Sequence, residues 1–213
     1  ALRSLMYKGR DVIKDDLLPN FVRPATDNER RGWKPHQKLK YWYNQPVLKG
    51  MKVEKIEAPF QFKVVSEYAL PQDSARVVVS YFLSASGVVD VDYVLTVEEG
   101  LPNIPKVGLQ VGINPAFEQI KYYGLGELET YQDRAYGFDL GVYEMGLEKF
   151  MEPYLVPQEN GNRMDVRWMT LRSKDAGVLV LGRQPLNISA WPYSKEQIEE
   201  AKHWFKLKKE DKI

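Results

Sequence analysis

Val89-Asp90-Val91-Asp92-Tyr93-Val94-Leu95-Thr96-Val97-Glu98 puts Val89, Val91, Tyr93, Leu95 and Val97 on one face and Asp90, Asp92, Thr96 and Glu98 on the other. Side chains alternate across a strand, so a period of two with one apolar face marks a half-buried strand of an antiparallel sheet. Similar stretches run over residues 60–70, 75–83, 106–113, 117–123, 163–172 and 177–181. Turn formers separate them at Pro71-Gln72-Asp73, Ser86-Gly87, Gly100-Leu101-Pro102-Asn103 and Asn114-Pro115. Many short strands, few helices and no parallel βαβ rhythm predict an all-β, mostly antiparallel sandwich, read as one domain over residues 1–213. One C-terminal helix is predicted over residues 194–205. There Ser194 and Gln197 have capping-box spacing, and Ile198, Ala201, Lys202 and Phe205 share a face. Residues 11–43 are polar and Arg-rich, with Pro19, Pro24 and Pro35, and read as a long irregular excursion.

Composition narrows the function classes. Hydrophobic residues are 44% and charged residues 28% of 213, enough for a real core. Lys plus Arg number 30 against 29 Asp plus Glu, and that balance argues against a nucleic-acid partner, which needs a basic surplus on one face. The basic residues between Lys202 and Lys212 alternate with Glu210 and Asp211 and read as a solvated chain end. The absence of cysteine excludes disulfides, thiolate catalysis and Cys-based zinc sites. No apolar run reaches the roughly 18–20 residues of a membrane span. The first residues, Ala1 to Tyr7, contain no signal-peptide apolar core. The compartment, cytoplasmic or periplasmic, stays open.

Three polar segments are candidate sites. In Asn20-Phe21-Val22-Arg23-Pro24-Ala25-Thr26-Asp27-Asn28, Arg23 and Asp27 could pair bidentately to pin the loop, or Asp27 and Asn28 could meet sugar hydroxyls. In residues 124–134, Glu129 and Asp133 are expected to satisfy Arg134 and nearby amides. Glu127 and Glu129 as a paired-carboxylate site would need about 5 or 9 Å between them. In residues 152–163, Gln158, Glu159 and Asn160 offer adjacent hydrogen-bonding groups ahead of a Gly161 turn. Beyond it Arg163, Asp165 and Arg167 fall on one strand face, as in a cross-strand ion ladder. His36 and His203 are the only histidines, and His203 is expected in the last helical turn, where a cation suits the dipole.

Four motifs in order carry a resemblance. They are Asn20-Phe21-Val22-Arg23 with Asp27-Asn28, Gly124-Leu125-Gly126 with Glu129-Thr130-Tyr131-Gln132-Asp133-Arg134, Pro157-Gln158-Glu159-Asn160-Gly161-Asn162-Arg163 after Pro153-Tyr154, and Tyr193-Ser194 with Glu196-Gln197-Ile198-Glu199 and His203. Together, over nearly the whole chain, they resemble the C-terminal domain of glycoside hydrolase family 2 β-galactosidases. Val22, Pro24-Ala25 and Glu29 depart from the usual pattern.

The resemblance implies a galactose-mutarotase-like supersandwich, with both catalytic Glu residues on a separate TIM barrel. It implies that Gln158, Glu159, Asn160 and Arg163 border the sugar pocket on a mobile rim loop hinged at Gly161. Arg23, Asp27, Asn28, Glu129, Asp133 and Arg134 are the further candidates for polar loop contacts. The partner would be a galactoside shared with the barrel. No cofactor is expected in this chain, although the parent enzyme would use Mg or Na. Family members continue past the position of His203 to a loop with a sugar-stacking Trp, so the chain is expected to be a truncated, non-catalytic piece. An open sheet edge would then favour homo-oligomers. Two other readings stay open: an aldose epimerase using His36 with Glu127, and a carbohydrate-binding module.

Overall fold

A computed structural model describes all 213 residues. Strands hold 41% of them and helices 14%, and the strand ladders are antiparallel throughout. The class is all-β, as the alternation predicts.

The strands in chain order are β1 Met6–Tyr7, β2 Arg10–Asp11, β3 Leu18–Asn20, β4 Val47–Lys55, β5 Phe62–Ala69, β6 Ala75–Leu83, β7 Val89–Val97, β8 Gly108–Gln110, β9 Gln119–Leu125, β10 Leu140–Gly146, β11 Arg163–Arg172 and β12 Gly177–Ile188. Four short helices join them: α1 Asp27–Arg31, α2 Pro35–Lys38, α3 Leu147–Phe150 and α4 Lys195–Glu200. The chain gathers into two compact units. The first comprises Ala1–Arg3, Asp16–Arg23 and Glu29–Val111, and the second Ser4–Asp15, Pro24–Asn28 and Gly112–Ile213.

In the first unit, β4, β5, β6 and β7 form a four-stranded meander, and β3 pairs with β8. Alternation on β6 sends Ala75, Val77, Val79 and Tyr81 into a core shared with Phe21, Leu39, Trp42, Tyr68 and Leu70. Val89, Val91, Tyr93 and Leu95 of β7 pack against that core. Val97, the fifth residue of the predicted face, lies at the strand end and is 37% exposed. Trp42 is buried with its indole nitrogen donating to the Pro102 carbonyl at 2.8 Å, so its one polar atom is satisfied.

In the second unit the sheet order is β10-β9-β11-β12. Ile120 and Tyr122 of β9, Met145 of β10, and Val166, Met169 and Leu171 of β11 are buried, together with Phe117, Phe150 and Ile198. Pro185 sits within β12. It is tolerated there because β12 is an edge strand and needs no ladder donor on its free side.

Several sequence expectations change. Two of the longer strands, β4 and β10, escape the alternation reading along with the short β1, β2 and β3, β4 because Lys49, Lys52, Glu54 and Lys55 interrupt its apolar pattern. The predicted strand at 106–113 shrinks to β8, and that at 177–181 extends through all of β12. The excursion over residues 11–43 contains β3, α1, α2 and a 3-10 turn at Lys40–Tyr43.

The C-terminal helix stops at Glu200, where Ala201 turns extended. Ser194 accepts from the Gln197 amide at 3.2 Å, as a capping residue does. The Gln197 side chain, however, bonds Glu210 and the Lys208 amide instead of reaching back to Ser194. Ile198 is fully buried, whereas Phe205 is 76% exposed. His203 lies outside the helix in extended backbone, with its ring stacked on Phe205 at 5.2 Å, so the dipole reading fails.

Tyr93 makes the first unit sensitive to alkali. Its hydroxyl is buried without a hydrogen-bond partner, and burial pushes the phenol up to about 12. The folded state therefore keeps a proton that the unfolded chain releases near pH ~10. This contribution to stability is complete below pH ~10 and is lost as pH rises toward the folded value. Tyr93→Phe is expected to raise stability at neutral pH by about 1 kcal/mol and to lessen the alkaline decline. Urea unfolding at neutral and alkaline pH reads both effects.

Candidate functional site

The polar motifs of the second unit meet around one buried carboxylate. Strand β9 ends in a turn at Gly126, whose φ of +76° suits glycine. The buried Tyr122 hydroxyl donates to the Gly126 carbonyl at 2.6 Å and ties the turn to the sheet. The chain then passes the exposed Glu127 and Leu128 and brings Glu129 and Thr130 inside, at 1% and 0% exposure.

Glu129 is saturated with donors. Arg134 Nη1 reaches its Oε1 at 2.6 Å, the Tyr154 hydroxyl makes a very short bond to the same oxygen, and the Gly161 amide donates to Oε2 at 2.8 Å. A buried carboxylate held by a cation, a phenol and a backbone amide is a fastener. It joins the 126–134 turn to the 152–163 loop. The expected Glu129–Arg134 pair is present, whereas Asp133 stays exposed.

Thr130 adds a second set of links. Its amide donates to the Asn162 carbonyl at 2.8 Å, and its hydroxyl accepts from the Met164 amide at 2.8 Å. Asn162 Nδ2 returns a bond to the Thr130 carbonyl at 2.7 Å.

The 157–163 segment turns most of its polar groups inward. Asn160 is fully buried: Oδ1 accepts from the Glu152 amide, Nδ2 donates to the Gln158 carbonyl, and its own carbonyl accepts from Trp191 at 3.0 Å. Glu159 is 5% exposed and accepts from Tyr131 at 3.5 Å. Gly161 takes φ +72°, and a Cβ there would sit 2.8 Å from the Phe150 carbonyl oxygen. Gln158 is partly exposed, and its Oε1 accepts from the Asp27 amide at 3.0 Å.

Arg163 is the largest change from expectation. It is fully buried, with Nε donating to the Tyr122 hydroxyl at 3.0 Å and Nη1 to the Gly161 carbonyl at 3.2 Å. Its guanidinium also lies 4.4 Å from the centre of the Phe150 ring. The predicted ladder with Asp165 and Arg167 does not form, because register shifts on β11 between Arg163 and Trp168 break the alternation. Asp165 is exposed with φ +54°, and Arg167 bonds the Asp165 carbonyl and stacks on Tyr123.

The remaining candidates lie elsewhere. Arg23 pairs bidentately with Glu29, at 2.9 and 3.0 Å, and not with Asp27. Asn28 is exposed at the start of α1. His36 and Glu127 are both exposed, the one in the first unit and the other in the second.

Protonation states follow from these contacts. Burial, and then the bond to Glu129, raises the Tyr154 phenol above its ordinary value. Burial also raises Tyr122, against the opposing pull of Arg163. The bond to Tyr154 raises Arg134. At neutral pH both phenols are therefore donors and Arg134 a cation: Tyr154 and Arg134 serve Glu129, and Tyr122 serves the Gly126 carbonyl. Tyr122, Thr130, Tyr154, Asn162 and Trp191 were not singled out from sequence. The signal available was position inside or beside the polar segments, except for Trp191, which stands two residues before the Tyr193-Ser194 motif.

The fold and this cradle define an all-β domain with two polar loops fastened through a buried carboxylate. A family model described as Beta galactosidase small chain matches residues 1–213. The β-galactosidase of Priestia megaterium (strain DSM 319 / IMG 1521) is 32% identical over 212 residues, 99% of this chain and 20% of that protein. That of Lactobacillus delbrueckii subsp. bulgaricus is 35% identical over 211 residues, 96% of this chain and 20% of its own length. The chain belongs to the β-galactosidase small-chain family. It spans about a fifth of the length of the curated relatives it matches.

Two substitutions test the fastening. Glu129→Ala strands the buried Gly161 amide and two side-chain donors, and is expected to lower stability by about 3 kcal/mol. Gly161→Ala forces a Cβ onto left-handed backbone and toward the Phe150 carbonyl, and is expected to lower it by at least ~1 kcal/mol. Denaturant unfolding reads both, and faster hydrogen exchange at the amides of residues 158–162 is expected in each variant.

Proposed function

We propose that the chain is the C-terminal domain of a glycoside hydrolase family 2 β-galactosidase, a galactose-mutarotase-like supersandwich that scaffolds and borders an active site completed by the rest of the enzyme. The parent reaction is hydrolysis of terminal β-galactosides with retention of configuration. The observation that carries this reading is the internally fastened 157–163 loop, in a chain matching the family from end to end. In this reading the loop is not the mobile one that the resemblance implies: it holds its shape before the sugar arrives, with Glu129 and Arg163 bonded to Gly161.

Glu129 has its oxygens filled by Arg134, Tyr154 and Gly161, which suits support and not proton transfer. Gln158 and Asn162 are the partly exposed residues of the loop, and Asn162 already donates its side-chain amide to the Thr130 carbonyl, which leaves Gln158. In this reading it is the first contact with a galactoside, with Glu159, Asn160 and Arg163 acting behind it.

The isolated 213 residues are expected to show no turnover of a nitrophenyl β-galactoside. Turnover is expected to appear on adding the complementary β-galactosidase polypeptide from the same organism. In the reassembled enzyme, Gln158→Ala should raise KM severalfold with a smaller change in kcat. Appreciable hydrolysis by the chain alone would overturn the reading.

A further inference from the structure

One row on the outward face of the second unit's sheet is apolar across all four strands. Val142 pairs with Tyr123, Tyr123 with Trp168, and Trp168 with Leu181, so one row of cross-strand neighbours crosses β10, β9, β11 and β12 without a charged residue. Three inter-strand spacings make that row about 14 Å long. Leu140 and Leu125 extend it on one side, and Leu179 extends it on the other. Val142 is 56% exposed, Leu181 68%, Leu179 54% and Leu140 44%.

Antiparallel sheets commonly turn a polar face to water, and the first unit's strand β7 does so with Asp90, Asp92 and Thr96. The second unit interrupts that pattern with the apolar row, beside which Glu144, Lys121, Thr170 and Arg172 share the same face. The charges bordering its row are already engaged: Glu144 is paired with Lys121 at 3.2 Å and with Arg172, and Arg167 lies over the Tyr123 ring at 5.5 Å. A Tyr and a Trp at the centre, aliphatic side chains around them and neutralised charges at the margin match the anatomy of a protein-binding hot spot.

We infer that this face, centred on Tyr123 and Trp168 with Val142 and Leu181 at its ends, is the docking surface for the remaining β-galactosidase polypeptide. The inference rests on the β-galactosidase reading above. The occupant follows from length: the relatives carry about four-fifths of their chain outside the region matched here. A contiguous apolar patch on so small a part of a larger polypeptide is the kind of surface that further domains cover.

The test is association of the 213-residue chain with the complementary β-galactosidase polypeptide from the same organism, measured by titration calorimetry and by recovered hydrolysis. The double variant Val142→Lys/Leu181→Lys places charges at two exposed positions, so its melting temperature should match the wild type. Leu181→Ser alone is the milder second variant. Val94→Lys, at a 57% exposed site of the first unit, is the control. The expected result is at least about tenfold weaker association for the double variant, a smaller loss for Leu181→Ser and none for Val94→Lys. Equal association of wild type and both variants would overturn this inference alone. Failure of the wild type to associate would remove the β-galactosidase reading and this inference with it. A wild-type homodimer dissolved by the same variants would reassign the face to a second copy.

Discussion

Burying a carboxylate is tolerable only when its lone pairs are filled, and Glu129 meets that condition with groups drawn from three places in the chain. Arg134 comes from its own turn, Tyr154 from the proline-bracketed loop and the Gly161 amide from the tip of that loop. Each donor depends on the others being in place, since moving the loop would leave the charge unpaired. The second unit's polar architecture is thus coupled: the 126–134 turn and the 152–163 loop share one carboxylate and the Thr130–Asn162 bonds. Arg163 closes the arrangement from below through a phenol, two backbone carbonyls and the face of Phe150.

This coupling changes what the polar motifs mean. Side chains with the look of sugar-binding groups, Asn160 and Arg163 above all, turn toward the protein's own backbone. Their value is to hold a loop in one conformation, with Gly161 in a left-handed backbone that a side chain would oppose. Apolar residues show the opposite displacement. Val142, Leu179 and Leu181 lie on strands yet face solvent.

Much of the strand framework was legible because it rests on local pattern. β6 and β11 appear at their predicted bounds, and the apolar side of β7 faces the core. Elements whose stability comes from neighbours were harder to read. β4 carries charges that an edge strand can expose to water, and β12 continues through Pro185 because no strand needs its amide on the free side. The C-terminal helix was foreseen from Ser194 and Gln197. Its early end was not, because Gln197 is recruited by Glu210 and Lys208 from further along the chain.

By itself the sequence determined the all-β class, the principal strands, the kinship carried by four ordered motifs and the Glu129–Arg134 pair, since each depends on residue type and short-range spacing. Tertiary structure alone decided that Arg23 chooses Glu29, that Arg163 lies inside, and that Tyr154 and Gly161 converge on Glu129. The physical reason is that a buried charge selects its partners by what the fold brings within hydrogen-bonding distance. Two register shifts on β11 are enough to turn a predicted surface ladder into a core contact.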